Sequence, residues 1–137
     1  MNDAMHTHAI RVYYEDTDLA GVVYYANYLR FIERGRTEAL RDLGVDQTVL
    51  KARGIVFVVT QVNAKYLIPA RFDDALEVHT NIDWVKRASC GMWQVVWRGR
   101  EKLFTAEVTV ACVGTDGNPL RLPTEVQEKL VQAHNVG

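Results

Sequence analysis

The chain has 137 residues and a formal charge of -1, with sixteen Lys and Arg against seventeen Asp and Glu. That length holds one domain, residues 1–137, with a core of its own. The balanced charge argues against nucleic acid as the main partner, because phosphate binding shows as a basic stripe. No run approaches the roughly 18 apolar residues of a membrane span. The opening MNDAMHTHAI lacks the basic and apolar regions of a secretory signal. Cys90 and Cys112 have no CxxC partner, so reduced thiols in a cytoplasmic protein are expected, without a disulfide or metal framework.

Residues 6–14 read as a short strand, with Ile10, Val12 and Tyr14 on one side. The acids Glu15, Asp16 and Asp18 interrupt it, and Gly21 follows. From about Ala26 to Leu43 the period becomes helical, with Tyr28, Ile32, Gly35, Ala39 and Leu43 on one stripe and Gly44 as a left-handed stop. Gly35 costs helix propensity of up to about 1 kcal/mol, which a close approach to a flat sheet would explain. After Gly54 the period is two. Residues 55–68 form an apolar strand, its opening Ile55–Val59 expected to be buried. Residues 76–84 place Leu76, Val78, Thr80, Ile82 and Trp84 on one face, and residues 92–98 place Trp93, Val95 and Trp97 together. After a turn at 98–101, Phe104, Ala106, Val108, Val110 and Cys112 share a face. Residues 115–119 signal another turn, and Thr124 is a candidate cap for a last helix over 125–133. Strands joined by short turns make an antiparallel meander, and one long helix on one face makes an α+β domain. A single helix leaves part of a wide sheet to be closed by another subunit.

Three readings are open for the acidic knot. Carboxylates are favoured ahead of a helix as caps and partners of its dipole. A DxD pair can bind a divalent cation, although no third ligand stands at a matching spacing and no metal site is expected. A carboxylate beside free helix amides can also perform acyl transfer, the amides holding an oxyanion and the carboxylate attacking or activating water. Gly21 would permit the close backbone approach.

The stretch RVYYEDTDLAGVVYYANYLRFIERGRTEALRDLG, residues 11–44, resembles the opening of the hotdog-fold acyl-CoA thioesterases of the 4-hydroxybenzoyl-CoA thioesterase type, and most nearly their branch associated with the Tol-Pal system. The likeness continues through FVVTQVNAKYLIPARFDDALEVHT, residues 57–80, and AEVTVACV, residues 106–113. It implies a hotdog fold, an antiparallel sheet wrapped around one long helix, and a homodimer, or a tetramer made of two dimers, in which two sheets join. It also implies hydrolysis of an acyl-CoA or acyl-carrier-protein thioester without a cofactor.

By the same resemblance, Asp18 is the essential carboxylate, either as nucleophile or as base. The main-chain N–H of Tyr25 polarises the thioester carbonyl. The nearest branch carries histidine at this position, and tyrosine, with a pKa near 10, would not shuttle protons as histidine does. Gly21, Val22, Asn27 and Tyr66 are candidate substrate contacts, with Asn27 alternatively holding the loop. Val58, Val59 and Thr60 match a strand lining the acyl pocket from the neighbouring subunit. Arg87, Ser89 and Gly91 stand where relatives meet the phosphates of coenzyme A. Asp73 and Asp74 read as a strand start or salt bridge. The alternative function is a non-catalytic hotdog scaffold that docks on acyl carrier protein or a lipid-synthesis partner.

Overall fold

The alternation over residues 76–84 is realised as a strand whose Leu76, Val78, Thr80 and Ile82 are buried while Glu77 and Asp83 face out. The computed structural model describes residues 5–136; the reading of the first four residues lies outside it. The elements in chain order are β1 (His6–Arg11), α1 (Asn27–Asp42), α2 (Gln47–Ala52), β2 (Ile55–Tyr66), β3 (Ala75–Val85), β4 (Ser89–Arg98), β5 (Glu101–Gly114) and α3 (Thr124–Val136). A single turn of 3-10 helix, Tyr14–Asp16, follows β1.

The five strands form one antiparallel sheet in the order β1-β3-β4-β5-β2. On β5 the expected face of Phe104, Ala106, Val108, Val110 and Cys112 is buried throughout. On β4 the two tryptophans share a side as expected, but the core side is the other one. It carries Cys90, Met92, Val96 and the fully buried Gln94. α1 buries Tyr28, Phe31, Ile32, Gly35, Ala39 and Leu40 and lies over β1, β3 and β4. A Cβ on Gly35 would stand 2.5 Å from Val78 Cγ1, so the helix sits closer to the sheet than any side chain there would allow. The close approach expected from that glycine is therefore real.

Two expectations are corrected. β3, β4 and β5 form the meander, but β2 does not join it at β3; it pairs with β5 at the far edge. The reason lies in residues 67–74, which do not close a hairpin between β2 and β3. Val22 bridges Arg71, and the Val23 N–H donates to the Ala70 carbonyl at 2.8 Å. This pins the connection across one end of the sheet. Second, Ile55–Val59 is not a buried strand. An edge position with no strand beyond it leaves Val58 39%, Val59 44% and Val62 39% exposed. α2 was not anticipated, yet its signal is present: Asp46 Oδ1 accepts from the Thr48 and Val49 amides, an ordinary N-cap. α3 already includes Thr124 and packs against β3 through a face that includes the buried Val126, Leu130 and Ala133. A second helix thus shares the cover of the sheet with α1.

Candidate active site

The loop between β1 and α1 folds back on itself, and its three acids separate by what they hold. The Asp16 side chain turns back to accept the Tyr13 N–H at 2.8 Å, while its carbonyl accepts both the Tyr24 N–H and the Asn27 side-chain amide at 2.9 Å. Asp16 and Asn27 together tie the loop to the first turn of α1. Asn27 is accordingly a buried strut, with its side-chain amide committed to Asp16. Glu15 is exposed. Asp18 sits at the head of a tight turn. Its carbonyl accepts from Gly21, its N–H donates to Val22, and its Oδ1 accepts from the Ala20 amide, each at 2.9 Å. Gly21 takes the left-handed φ of 81° that this turn requires. The Asp18 carboxylate is exposed, with one oxygen engaged by the turn.

None of these acids caps α1. Its N-cap position is Ala26, without a side-chain hydrogen bond, and its first turn holds no acid. The Tyr24 and Asn27 amides are taken by the carbonyls of Asp16 and Tyr24, whereas the Tyr25 N–H has no backbone acceptor among the described residues. A helix start left open in this way presents a partial positive charge to solvent beside the acidic loop. The capping reading of the knot therefore fails.

Aromatic packing fixes that open start. The Tyr66 hydroxyl donates to the Tyr25 carbonyl at 3.0 Å, and the Tyr25 and Tyr66 rings meet edge to face at 6.2 Å. Tyr66 packs in turn on Phe104, which stacks at 5.0 Å on Tyr28. The Tyr28 hydroxyl accepts the Ala70 N–H at 2.9 Å. Burial raises the phenol of Tyr66, with Tyr25 adding to it, and burial also raises Tyr28 against the effect of the Ala70 amide. Both stay neutral hydrogen-bonding groups. Tyr25 itself is 62% exposed. Sequence reasoning missed Tyr28, although its place on the apolar stripe together with a hydroxyl marks it as a core residue needing a polar partner.

A second contact steadies the segment paired with the loop. Asp74 Oδ2 accepts from the Arg71 amide and from Arg98, each at 2.8 Å, which makes it the salt bridge expected of this pair of acids. Asp73 adopts a left-handed φ of 68°, and its carbonyl accepts from Arg11 at 2.8 Å.

The other candidates lie elsewhere. Val59 and Val62 line a groove of about 640 Å³ with Leu29, Arg30, Ile32, Glu33, Arg34 and Arg36 of the same chain's helix. Val58 stands on the same exposed edge, and the Thr60 hydroxyl donates to the Thr109 carbonyl at 3.5 Å. Arg87 lies exposed in the turn between β3 and β4, and Ser89 is the first residue of β4. The acidic loop meets the chain at Ala70 and Arg71, before the other end of β3. An eleven-residue strand lies between them, a span of about 35 Å. One chain thus does not bring Arg87 or Ser89 to Asp18. Gly91 is buried under an indole; a Cβ there would stand 2.0 Å from Trp84 Nε1. That position serves packing. Burial pushes the Cys90 thiol up to about 11, with Arg36 opposing, and raises Cys112 as well. Neither is a thiolate nucleophile at neutral pH.

Residues 12–130 match the model of the Thioesterase-like superfamily. The chain is 40% identical over 134 residues to the acyl-CoA thioester hydrolase YbgC of Escherichia coli O6:H1, covering 97% of each. It is 44% identical over 120 residues to the acyl-CoA thioesterase YbgC of Haemophilus influenzae, covering 86% of this chain and 88% of that one. A crystal structure of a probable thioesterase from Bartonella henselae superposes with a TM-score of 0.83 at 41% identity, covering 87% of this chain and 99% of that one.

Proposed function

The chain is an enzyme of the thioesterase-like superfamily with the hotdog fold, and from that premise we propose that it hydrolyses acyl-CoA thioesters to a free acid and coenzyme A, using the Asp18 carboxylate and the Tyr25 main-chain N–H. The observation that carries this reading is the uncapped start of α1, its Tyr25 amide without a backbone acceptor, placed after a loop that presents an exposed Asp18. The two most informative relatives are named as acyl-CoA thioester hydrolase and acyl-CoA thioesterase.

The chemistry follows from the groups. The thioester carbonyl oxygen accepts from the Tyr25 N–H, where the helix dipole stabilises the negative charge that develops as the carbon becomes tetrahedral. Asp18 then acts by one of two routes. As nucleophile it forms a mixed anhydride, the C–S bond breaks, coenzyme A leaves as thiolate and takes a proton, and water cleaves the anhydride. As base it takes a proton from water, the hydroxide adds to the carbonyl, and the proton passes to the departing thiolate. A thiolate leaves readily, so one carboxylate and amide dipoles suffice where an amide bond would demand a general acid. Tyr66 supports the site by holding the Tyr25 carbonyl.

The site is completed by a second copy of the chain. β2 is a twelve-residue edge strand with exposed Val58, Val59 and Val62, an edge that invites pairing. Pairing there brings Val58, Val59 and Thr60 toward a neighbouring site, and Arg87 and Ser89 meet coenzyme A phosphates from a chain other than the one supplying Asp18. Placement in the branch associated with the Tol-Pal system, within the 4-hydroxybenzoyl-CoA thioesterase type, rests on residues 11–44 and 66–74, with Tyr25 as the departure from that branch's histidine. The test is thiol release by the purified protein from short, long and aromatic acyl-CoAs. At least one should turn over with kcat/KM near or above about 10⁴ per molar per second; release from none of them sinks the proposal.

A further inference from the structure

The buried residue Ala70 joins the two halves of the proposed site. Its carbonyl accepts the Val23 N–H at 2.8 Å, and its own N–H donates to the Tyr28 hydroxyl at 2.9 Å. Val23 ends the loop that carries Asp18. The neighbouring Val22 carbonyl accepts the Asp18 N–H at 2.9 Å, and Val22 bridges Arg71. Tyr28 is the second residue of α1, one helical turn beyond the Tyr25 whose amide stands open at the helix start. A short path of hydrogen bonds thus runs from the helix, through one hydroxyl and one alanine backbone, to the turn that presents the carboxylate. The other donors of this segment go elsewhere: the Leu67 and Ile68 amides to the Leu103 carbonyl, the Arg71 amide to Asp74. Pro69 has no N–H to give. It is the Ala70 N–H that reaches α1.

The hydroxyl keeps a fixed place because the ring that bears it is packed on three sides. Tyr28 is buried, stacks on the fully buried Phe104 at 5.0 Å, and meets the Phe31 and Tyr66 rings edge to face at 5.9 and 5.5 Å. Such a ring holds one rotamer, and a phenol carries its oxygen at the end of a rigid body. The near side of the Asp18 loop is tied to the same helix start by Asn27, through the Asp16 carbonyl; Tyr28 ties the far side. We propose that Tyr28 is a positioning residue, its hydroxyl acting through Ala70 and Val23 to set the separation between the Asp18 carboxylate and the Tyr25 N–H. This rests on the thioesterase reading above, in which those two groups meet at one thioester carbonyl. A reacting group displaced by about 1 Å costs up to about a hundredfold in rate, while contacts to the remainder of the substrate are untouched.

The experiment is a double-mutant cycle on the best acyl-CoA substrate, read as thiol release at a temperature where circular dichroism shows every protein folded. Tyr28→Phe keeps the ring and removes the hydroxyl, so the Ala70 N–H loses its acceptor. It should lower kcat about tenfold and leave KM within about twofold. In the Asp18→Asn background the same change should cost less than about twofold, because a residue that acts by placing the carboxylate then has nothing to place. Val126→Ala, a truncation of a buried side chain in α3, lowers the melting temperature away from the site and should leave kcat within about twofold of wild type. A Tyr28→Phe protein as fast as wild type beside a slow Asp18→Asn protein overturns the positioning role alone. An equal fall in both backgrounds, or a fall that Val126→Ala reproduces, also overturns it and leaves Tyr28 a support of the fold. Thiol release from no acyl-CoA by the wild-type protein, or an Asp18→Asn protein as fast as wild type, overturns the thioesterase reading and this one with it.

Discussion

Asp16 and Asp18 stand two positions apart and differ in what their backbones do. Asp16 spends its carboxylate and carbonyl on the loop, whereas Asp18 leaves a carboxylate oxygen outside the turn that holds it. Composition marks three acids before a helix; only the glycine, the helix and the motif together single out Asp18, and the cap that one reading assigned to these acids is absent at Ala26. The role given to Tyr25 is a main-chain one, so the two tyrosines that meet there should respond differently. Tyr25→Phe should leave kcat within about twofold of wild type, because the exposed hydroxyl is not part of the proposed chemistry. Tyr66→Phe removes the hydrogen bond to the Tyr25 carbonyl and should lower kcat about fivefold, the rate equivalent of one ordinary hydrogen bond of about 1 kcal/mol. Steady-state kinetics of the two variants on one good substrate reads the difference. For Asn27 the sequence leaves open whether it holds the loop or approaches the substrate, and the fold answers with its partner, a carbonyl eleven residues away.

At the level of elements, the long periodic segments were legible and the connections were not. The α1 stripe and the alternation in β3 and β5 follow directly from side-chain period, and Gly35 announced the tight helix–sheet contact that Val78 confirms. The path of β2 was hidden because pairing order depends on where residues 67–74 are anchored, and that anchor is the distant loop at Val22 and Val23. The Asp74–Arg98 contact holds this same segment and should show in acid. Burial acts to raise the Asp74 carboxyl, but the Arg71 amide and Arg98 outweigh it and hold the group below the usual carboxylate range. A carboxyl depressed on folding contributes stability that is full above its unfolded pKa, near 3.9, and is lost as pH falls through the lowered folded value. Asp74→Asn should therefore cost about 1–2 kcal/mol at neutral pH, with the gap from wild type closing in strong acid. Urea unfolding of both proteins at neutral pH and in acid measures it.

At the scale of the molecule, the fold separates residues that a reading along the chain had grouped. Arg87 and Ser89, grouped with Asp18 by the resemblance alone, sit beyond the other end of β3 from its loop, and no pattern along one chain foretells that separation. The exposed valine edge of β2 is the surface on which the proposed second copy would pair. Val59→Lys with Val62→Lys should convert a dimer to monomer in light scattering and abolish turnover together, since two charges cannot be buried at a paired edge; a dimer that survives both changes removes β2 as the joining edge. The central claim, an acyl-CoA thioesterase worked by one carboxylate, is met most directly by kcat/KM of Asp18→Asn on the best acyl-CoA substrate. Asparagine keeps the oxygen that accepts from Ala20, so the melting temperature should stay within about 2 °C of wild type. The rate should fall by about 10³ or more, as expected when the only nucleophile or base is lost. A folded Asp18→Asn protein that hydrolyses the substrate at the wild-type rate would contradict the account.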